Sequence, residues 1–407
     1  MSTKKQFLAL VVFSTLFISC SSDKDDSIPS TQNYTIPETY TFERNNLTSV
    51  DYSGQTTRIE MLQEMGDYYK TQAAASIAVD ATVLNNMYTN TGSPFLTTDL
   101  NDSGKQLKDK TAASIDYFTL LYGGGTTTEQ VNVRTFFENQ FTEGNNASQG
   151  NNASAGVAGK YLDGSSTRLF AANGLEPQQV FLKGMMGASF MDQIVNNYLS
   201  TNKLDAGTNN ADNTNKVVET GKNYTTMEHN WDEAYGYIYG SDDATSTIYK
   251  FWSSYINQVN ADVDFNTLKA DIDLAFRKGR AAIVANDYTT RNAQAAIIKE
   301  KLALVTAVRA VFYLQEGKAK LVTDNGAKAF HALSEGYGFI MSLRYTNKPG
   351  TNNPYFSKAE VDSMLNTLVS GQNGFWDIDN LSPKLDAVST QIASKYGFTV
   401  SQAATVN

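Results

Sequence analysis

The sequence has few of the residues from which hydrolytic and redox sites are commonly built. Its 407 residues include one cysteine and two histidines. A single cysteine excludes an internal disulfide, and two histidines exclude a zinc site with three histidine ligands. The zinc-peptidase motif H-E-x-x-H and the hydrolase motif G-x-S-x-G are absent as well. The sequence therefore lacks the usual signatures of a metallopeptidase or a serine hydrolase.

Long apolar runs are also scarce, and the clearest one lies at the N-terminus. Two lysines precede an apolar run over 7–18, and Cys20 follows that run after one serine. This order is typical of an export signal, and the run is too short to span a bilayer. We therefore expect residues 1–19 to be a signal peptide and the thiol of Cys20 to carry a lipid.

A polar stretch follows Cys20. Residues 20–53 are rich in charged, serine and proline residues in their first part, which predicts a lipidated tether and an irregular lead-in. The run Lys24-Asp25-Asp26 resembles the signal that sends lipoproteins of some Gram-negative bacteria to the outer leaflet of the outer membrane. We expect an outer-membrane protein that faces the cell surface, and attachment facing the periplasm stays open.

Negative charge dominates the chain as a whole. The formal net charge is −9, which argues against nucleic acid as a partner because a nucleic-acid-binding surface needs clustered positive charge. The expected partners are the membrane, through the lipid on Cys20, and a transporter of the outer membrane.

Prolines are rare, with seven in the chain, and apolar residues recur at helical spacing through most of the rest. This pattern predicts an all-α fold of two pseudo-symmetric helical bundles, over roughly 54–260 and 261–407. Asn- and Gly-rich segments predict long polar loops at 144–156 and 205–215. The predicted helices cover roughly 58–88, 105–122, 129–142, 176–200, 227–240, 244–260, 271–286, 293–317, 327–344, 357–370 and 380–396.

Both histidines lie in segments that resemble each other. Residues 229–238 and 331–340 each read H-x-x-x-E-(A/G)-Y-G-(Y/F)-I. Because the shared pattern surrounds a rare residue type, it indicates an internal duplication, with one such helix in each half of the chain.

In a helix, the histidine and the glutamate of each copy lie on the same side. One interpretation is that each pair only stabilises its own helix. The other is that the two helices meet near a pseudo-twofold axis and bind a transition metal such as iron or zinc. The candidate ligands are His229, Glu233, His331 and Glu335, with Asp232 as a further group.

Each copy also places a glycine inside the helix. Glycine costs about 1 kcal/mol relative to alanine in an exposed helix interior, yet Gly236 and Gly338 stand at the same position of both copies. Because glycine permits close approach, we expect each of them to mark a tight helix contact.

Several segments resemble an uncharacterised family of cell-surface lipoproteins. They are 34–42, 229–237, 275–283 and 331–339, and the resemblance spans roughly 34–400. It implies an exported, lipid-anchored protein and names no activity.

More distantly, the paired His/Glu helices resemble the imelysin family. Its members are exported, are built from two helical bundles, and are linked to iron uptake or proposed as insulin-cleaving peptidases. The family motif G-x-H-x-x-E is not present, since the local spacing is H-x-x-x-E. Only His229 and Glu233 align to it.

Three functions follow as expectations. The first is a non-enzymatic surface lipoprotein that helps to acquire iron or another metal. The second is an imelysin-like metallopeptidase, in which one glutamate acts as a base beside a bound metal. The third is a glycan- or protein-binding accessory subunit of an outer-membrane importer, which binds through exposed tyrosine and tryptophan residues.

The lipid anchor gives the first testable prediction. In a Gram-negative host, the Cys20→Ser variant should lose incorporation of radiolabelled palmitate and should leave the outer-membrane fraction, because the thiol is the only attachment point. Equal labelling of the variant and the wild type would contradict lipidation at Cys20.

Overall fold

The structure is a computed structural model that describes residues 34–123, 128–242, 247–351 and 353–405. The predicted signal peptide, Cys20 and the first part of the tether lie outside these residues. Thr35 to Asn407 form one unit by their contacts, and the division into bundles near residue 260 stays a prediction.

Helices dominate the described chain, which confirms the prediction of an all-α fold. The α-helices are α1 Ser53–Ala75, α2 Ala81–Thr89, α3 Thr98–Asp102, α4 Thr128–Ala147, α5 Pro177–Met185, α6 Thr201–Leu204, α7 Asn209–Thr214, α8 Thr226–Tyr239, α9 Trp252–Ala261, α10 Leu268–Val284, α11 Tyr288–Lys320, α12 Phe330–Ser342, α13 Lys358–Leu368, α14 Leu381–Tyr396 and α15 Val400–Ala404. In the described ranges, none of the helices combines the length and the apolar character needed to cross a membrane.

Several helix predictions fail in detail. The helix predicted over 58–88 is two helices, because Ser76 adopts a left-handed conformation and the side chain of Asp80 caps α2. The helix predicted over 105–122 is instead a short 3₁₀ turn, Lys108–Lys110, and a π-helical segment, Ile115–Leu120, which irregular chain connects. The spacing of apolar residues does not distinguish α-, 3₁₀- and π-helical turns, since each of them places apolar residues on one side.

The segment after α5 also departs from α geometry, with π-helical turns at Met186–Met191 and Ile194–Tyr198. Asp192 lies between them and is fully buried. Its carboxylate accepts hydrogen bonds from the hydroxyl of Ser114, at 2.6 Å, and from the Ser114 backbone N–H, at 3.2 Å. This side chain thus links the two π-helical regions of the chain.

Two small antiparallel hairpins complete the fold. The first pairs β1 Glu43–Arg44 with β2 Leu47–Thr48. The second pairs β3 Gly159–Asp163 with β4 Ser166–Phe170, and no strand was predicted there. Asp163 pairs with Ser166, so Gly164 and Ser165 are the two turn residues. Gly164 has a positive φ, 61°, which suits glycine at the first position of a two-residue hairpin turn.

The prediction of an exposed loop over 205–215 is wrong at its centre. Helix α7 forms there, and Asn213 is fully buried. Its side-chain amide donates a hydrogen bond of 2.7 Å to the carbonyl oxygen of Ile283, beyond which α10 ends. An Asn-rich segment can therefore be ordered when it satisfies the free carbonyl groups of a neighbouring helix end.

Helix α11 is the centre of the core. It has 33 residues, and α9, α10, α12, α14 and α15 pack against it. Its buried positions include Ile298, Leu302 and Val308, as the helical spacing predicts. The two helices that carry the repeated motif pack on different helices. Helix α8 packs on α1 and α10, and α12 packs on α5 and α11.

Both motif copies use glycines for close packing. A large side chain stands two residues after each histidine. Trp231 of α8 occupies the space that a Cβ would need at Gly279 of α10, and Leu333 of α12 occupies the corresponding space at Gly317 of α11. A Cβ at Gly236 would likewise overlap Tyr52, just before α1. The two copies therefore share their packing as well as their sequence.

Helix α12 also approaches α5 closely, and three of its positions show this. The hydroxyl of Ser334 accepts a hydrogen bond of 2.8 Å from the backbone N–H of Glu176. A Cβ on Gly338 would lie 2.5 Å from the Cβ of Lys183. Ser342 donates a hydrogen bond of 3.1 Å to the carbonyl oxygen of Lys183. These positions are spaced by four residues, so they form one stripe along the helix.

The contact gives a prediction that a matched pair of variants can test. Gly338→Ala should lower the free energy of unfolding by about 1–3 kcal/mol, the range for overpacking, because the new methyl group meets the Lys183 Cβ and a backbone nitrogen. Gly336→Ala on the same helix meets its nearest side-chain atom at 3.2 Å and should cost less. Urea unfolding measures both, and equal effects would contradict the close contact at Gly338.

Candidate functional site

The two motif copies have different surroundings. In the first copy, the histidine and the glutamate are both bonded to neighbouring residues of the protein. The Nδ1 of His229 lies 3.1 Å from the carbonyl oxygen of Asp51, and its ring stacks on Tyr224 at 4.4 Å. Glu233 accepts hydrogen bonds from the Gln55 amide, at 2.8 Å, and from the Tyr198 hydroxyl, at 3.2 Å. These two side chains hold α8 against the start of α1.

Asp232 belongs to a buried ionic cluster on the other side of α8. It accepts hydrogen bonds from Arg280 Nε, at 2.9 Å, and from the Tyr40 hydroxyl, at 2.6 Å. Arg280 also pairs with Glu228 at 3.2 Å, and all three ionic side chains are fully buried. Burial raises the pKa of Asp232 to about 6, against the opposing effect of Arg280.

The same cluster fixes the lead-in. Arg44 donates hydrogen bonds to both carboxylate oxygens of Glu228, at 2.9 and 2.8 Å, and the ring of Tyr40 stacks on Tyr235 at 3.7 Å. Because these partners are buried, the lead-in from Tyr40 to Tyr52 is part of the folded body. Asp232 therefore has a structural role that its position beside Glu233 in the sequence does not indicate.

The second motif copy faces a cavity. The Nδ1 of His331 lies 2.6 Å from Glu176 Oε2, and its Nε2 lies 3.9 Å from Glu335 Oε2. The other oxygen of Glu335 pairs with Lys183 Nζ at 3.1 Å. Glu176 stands just before α5 and Lys183 lies inside it. The close approach of α12 to α5 is therefore what assembles this group.

These ionic partners determine the charges of the group. Burial lowers the pKa of His331, but the Glu176 and Glu335 carboxylates outweigh that effect, and the pKa lies above its usual value. Burial raises the pKa of Glu335, but Lys183 and His331 outweigh it, and the pKa lies below its usual value. Both shifts favour the charged form of the side chain.

The cavity beside His331, which we call the His331 cavity, has a volume of about 300 Å³. This is at the lower end of the range of about 300–1,000 Å³ that is usual for small-molecule sites. It is open to solvent and is bounded by α1, α5, α9 and α12. Its lining comprises Gln63, Gly66, Lys70, Arg168, Gln179, Leu182, Lys183, Tyr249, Lys250, Phe251, Ser254, Tyr255, His331 and Glu335.

One lining side chain has an unused hydrogen-bonding group. Gln179 is 4% exposed, and its amide oxygen has no hydrogen-bond partner among the residues that the structure describes. Buried polar atoms are nearly always paired in folded proteins, so an unpaired one in a cavity wall points to a ligand or to water.

The structure does not bring the five proposed metal ligands together. His229 and Glu233 contact α1 and its surroundings, Asp232 pairs with Arg280, and His331 and Glu335 face the His331 cavity. Within the described ranges, no group of three or more His, Cys, Asp or Glu side chains is arranged to hold a metal ion. Metal binding by these residues stays a prediction.

The partners of His331 could not be found from the sequence. Glu176 is 155 residues away along the chain, and neither it nor Lys183 is part of a recognisable motif. The only local signal is that Glu176-Pro177 is typical of a helix start, since proline suits the first turn. The sequence pattern therefore points to the half of the group on α12 and not to the half on α5.

Comparisons with known proteins identify a family but no activity. A family model described as "Domain of unknown function (DUF4856)" matches residues 37–399. The glucosyltransferase-I of Streptococcus mutans serotype c is 29% identical over 147 residues, which are 33% of this chain. The match covers 10% of the length of that relative. No solved structure matches the chain.

The charge of His331 gives a prediction on pH. Since its pKa is raised by Glu176 and Glu335, its stabilising effect should be complete below the unfolded value of about 6.5 and should disappear as the pH rises through the folded pKa. An NMR titration should place the His331 transition above 6.5, and Glu176→Gln should move it down. A transition of His331 at or below 6.5 would contradict the ion pair.

Proposed function

The chain belongs to the DUF4856 family, whose description names no activity, and we propose from the His331 cavity that it is a non-enzymatic ligand-binding protein. In this proposal the protein is anchored to the outer membrane by a lipid on Cys20 and binds a small polar ligand in the cavity. The observation that carries the proposal is the ionic group of the repeated motif, His331 and Glu335, in the wall of an open cavity.

The chemistry of the cavity wall supports binding. Charged side chains stand beside three aromatic residues, Tyr249, Phe251 and Tyr255. The wall is mostly polar, which suits a polar ligand, because small-molecule sites use placed polar groups to fix the orientation of what they bind. The polar groups are held in place by other protein atoms, as the pairs of Glu335 with Lys183 and of His331 with Glu176 illustrate, and such preorganisation lowers the entropic cost of binding.

The cellular setting of the proposal comes from the N-terminus. A lipid on Cys20 would place the protein at the outer membrane, facing the cell surface or the periplasm. There it would present its ligand to a transporter of that membrane. The contacts of Arg44 and Tyr40 support a short connection between the anchor and the body, because the lead-in is bound to the body from Tyr40 onwards.

Capture of a transition metal such as iron or zinc is a second candidate. Its support is that two carboxylates, Glu176 and Glu335, flank the imidazole of His331 at 2.6 and 3.9 Å, although these groups are not arranged to hold a metal ion in the described ranges. A metal would have to replace any proton on the imidazole nitrogen that binds it, and Glu335 would have to leave Lys183. The imelysin-like metallopeptidase would require the same metal.

The test is a ligand screen with two histidine variants. Thermal unfolding of the full chain in detergent is followed with neutral sugars, acidic sugars, short peptides, iron and zinc. A compound at 100 times its Kd stabilises the folded state by about 2.7 kcal/mol. We expect such stabilisation from a small organic compound, and we expect its loss in His331→Gln and not in His229→Gln.

The two variants separate the candidates. Binding of iron or zinc that requires both histidines would favour the paired metal site over the His331 cavity. If no compound in the screen stabilises the protein, or if His331→Gln keeps the full effect of every compound that does, the cavity is not the binding site.

A further inference from the structure

The charge of the His331 cavity is opposite to the charge of the protein. Lys70, Arg168, Lys183, Lys250 and His331 line it, and Glu335 is the one acidic residue among the described residues of the lining. The chain as a whole has a formal net charge of −9. A cavity lined by one sign of charge concentrates ions of the other sign.

A buried arginine behind the cavity strengthens this charge. Arg309 is 2% exposed, and its Nε and Nη1 atoms have no hydrogen-bond partner in the described part of the chain. Its guanidinium lies against three aromatic rings, with the carbon Cζ 4.2 Å from the centre of Phe312 and 4.4 Å from that of Tyr313. Such contacts are favourable but do not replace hydrogen bonds.

Tyr255 connects Arg309 to the cavity. The Cζ of Arg309 lies 5.1 Å from the centre of the Tyr255 ring, and the Nζ of Lys183 also lies 5.1 Å from it. Tyr255 itself lines the cavity. Against the effect of burial, Lys183, His331 and, to a smaller extent, Arg309 lower the pKa of Glu335 in the cavity wall.

The acidic partners do not balance these cations. Glu335 is the partner of Lys183, and Glu176 is shared between His331 and Arg168, whose Nη1 lies 3.9 Å from it. Asp163 lies 3.5 Å from the Nε of Arg168, but it is also the partner of Lys328. Among the described residues, the acidic side chain nearest to Lys70 is the exposed Asp67, at 4.0 Å. An incoming anion would meet Lys183 and the imidazole of His331, which the Glu335 and Glu176 carboxylates hold in place.

We infer that the His331 cavity binds a small organic anion, a compound with a carboxylate or phosphate group on a polar body. This inference rests on the proposed function and names the chemical class of its ligand. The anionic group lies near Lys183 and Lys250, where charge-assisted hydrogen bonds are available, and the aromatic wall of Tyr249, Phe251 and Tyr255 contacts the body of the ligand.

Three sugars with the same ring test the inference. Glucuronate carries a carboxylate, glucose 6-phosphate carries a phosphate, and glucose is neutral. The full chain, labelled with ¹³C in its two histidines and held in detergent at constant ionic strength, is titrated with each sugar. The His331 resonance reports the cavity, and the His229 resonance, in the other motif copy, reports general effects of salt or pH.

We expect one or both charged sugars to shift the His331 resonance, with His229 unchanged and with glucose inactive at the same concentration. Lys250→Glu should weaken the effective sugar by about tenfold, the result of losing about 1.4 kcal/mol of charge interaction. Lys183→Met should weaken it as well. The exposed Lys105 provides the control, and Lys105→Glu should leave the affinity unchanged.

The remaining outcomes are distinct. A shift of His331 by glucose equal to that by the charged sugars would overturn the inference and leave the proposed function standing. Equal shifts of both histidines would mean a general ionic effect and would also overturn it. If none of the sugars shifts the His331 resonance and the ligand screen finds no ligand, the inference and the proposed function are both contradicted.

Discussion

The close approach of α12 to α5 is the constraint on which the candidate site depends. At Gly338 the two helices are so near that a Cβ would lie 2.5 Å from the Cβ of Lys183. Ser334 and Ser342, one turn to either side, bond to the backbone of Glu176 and Lys183. This contact places the Lys183 ammonium group on Glu335 and the Glu176 carboxylate on His331. A wider separation would leave these buried charges unpaired, which is costly.

The two motif copies share a sequence pattern but have different roles in the structure. Both use the position two after the histidine to fill the space beside a glycine, and both place a glycine against a neighbouring helix. They differ three residues after the histidine, where the first copy has Asp232 and the second has Ser334. Asp232 makes α8 the centre of a buried ionic cluster with Arg280, whereas Ser334 bonds to the start of α5. The first copy thus anchors the lead-in, and the second forms a cavity wall.

Much of the fold could be predicted from the sequence, because the helical spacing of apolar residues is visible within a short stretch of the chain. Helix α11 and both motif helices lie close to the predicted ranges. The π-helical turns around Asp192 could not be predicted, since they follow from tertiary contacts such as that with Ser114. The buried Asn213 shows the same limit, as its burial depends on a helix end 70 residues away.

The site was predictable only in part for the same reason. His331 and Glu335 stand out by their repetition, and the close packing at Gly338 follows from a glycine inside a helix. The groups that complete the cavity, such as Lys183 and Arg309, come from other helices and belong to no motif. Pairings of this kind depend on how the helices pack, and one sequence alone does not contain that information.

The most direct test of the account is a crystal structure of the full chain in detergent, grown with saturating glucuronate. The account predicts one sugar in the His331 cavity, with its carboxylate within hydrogen-bond distance of Lys183 or Lys250 and its ring against the aromatic wall. A cavity that contains only water at that concentration, with His331, Glu176 and Glu335 still paired as described, would contradict the central claim that this cavity is a ligand site.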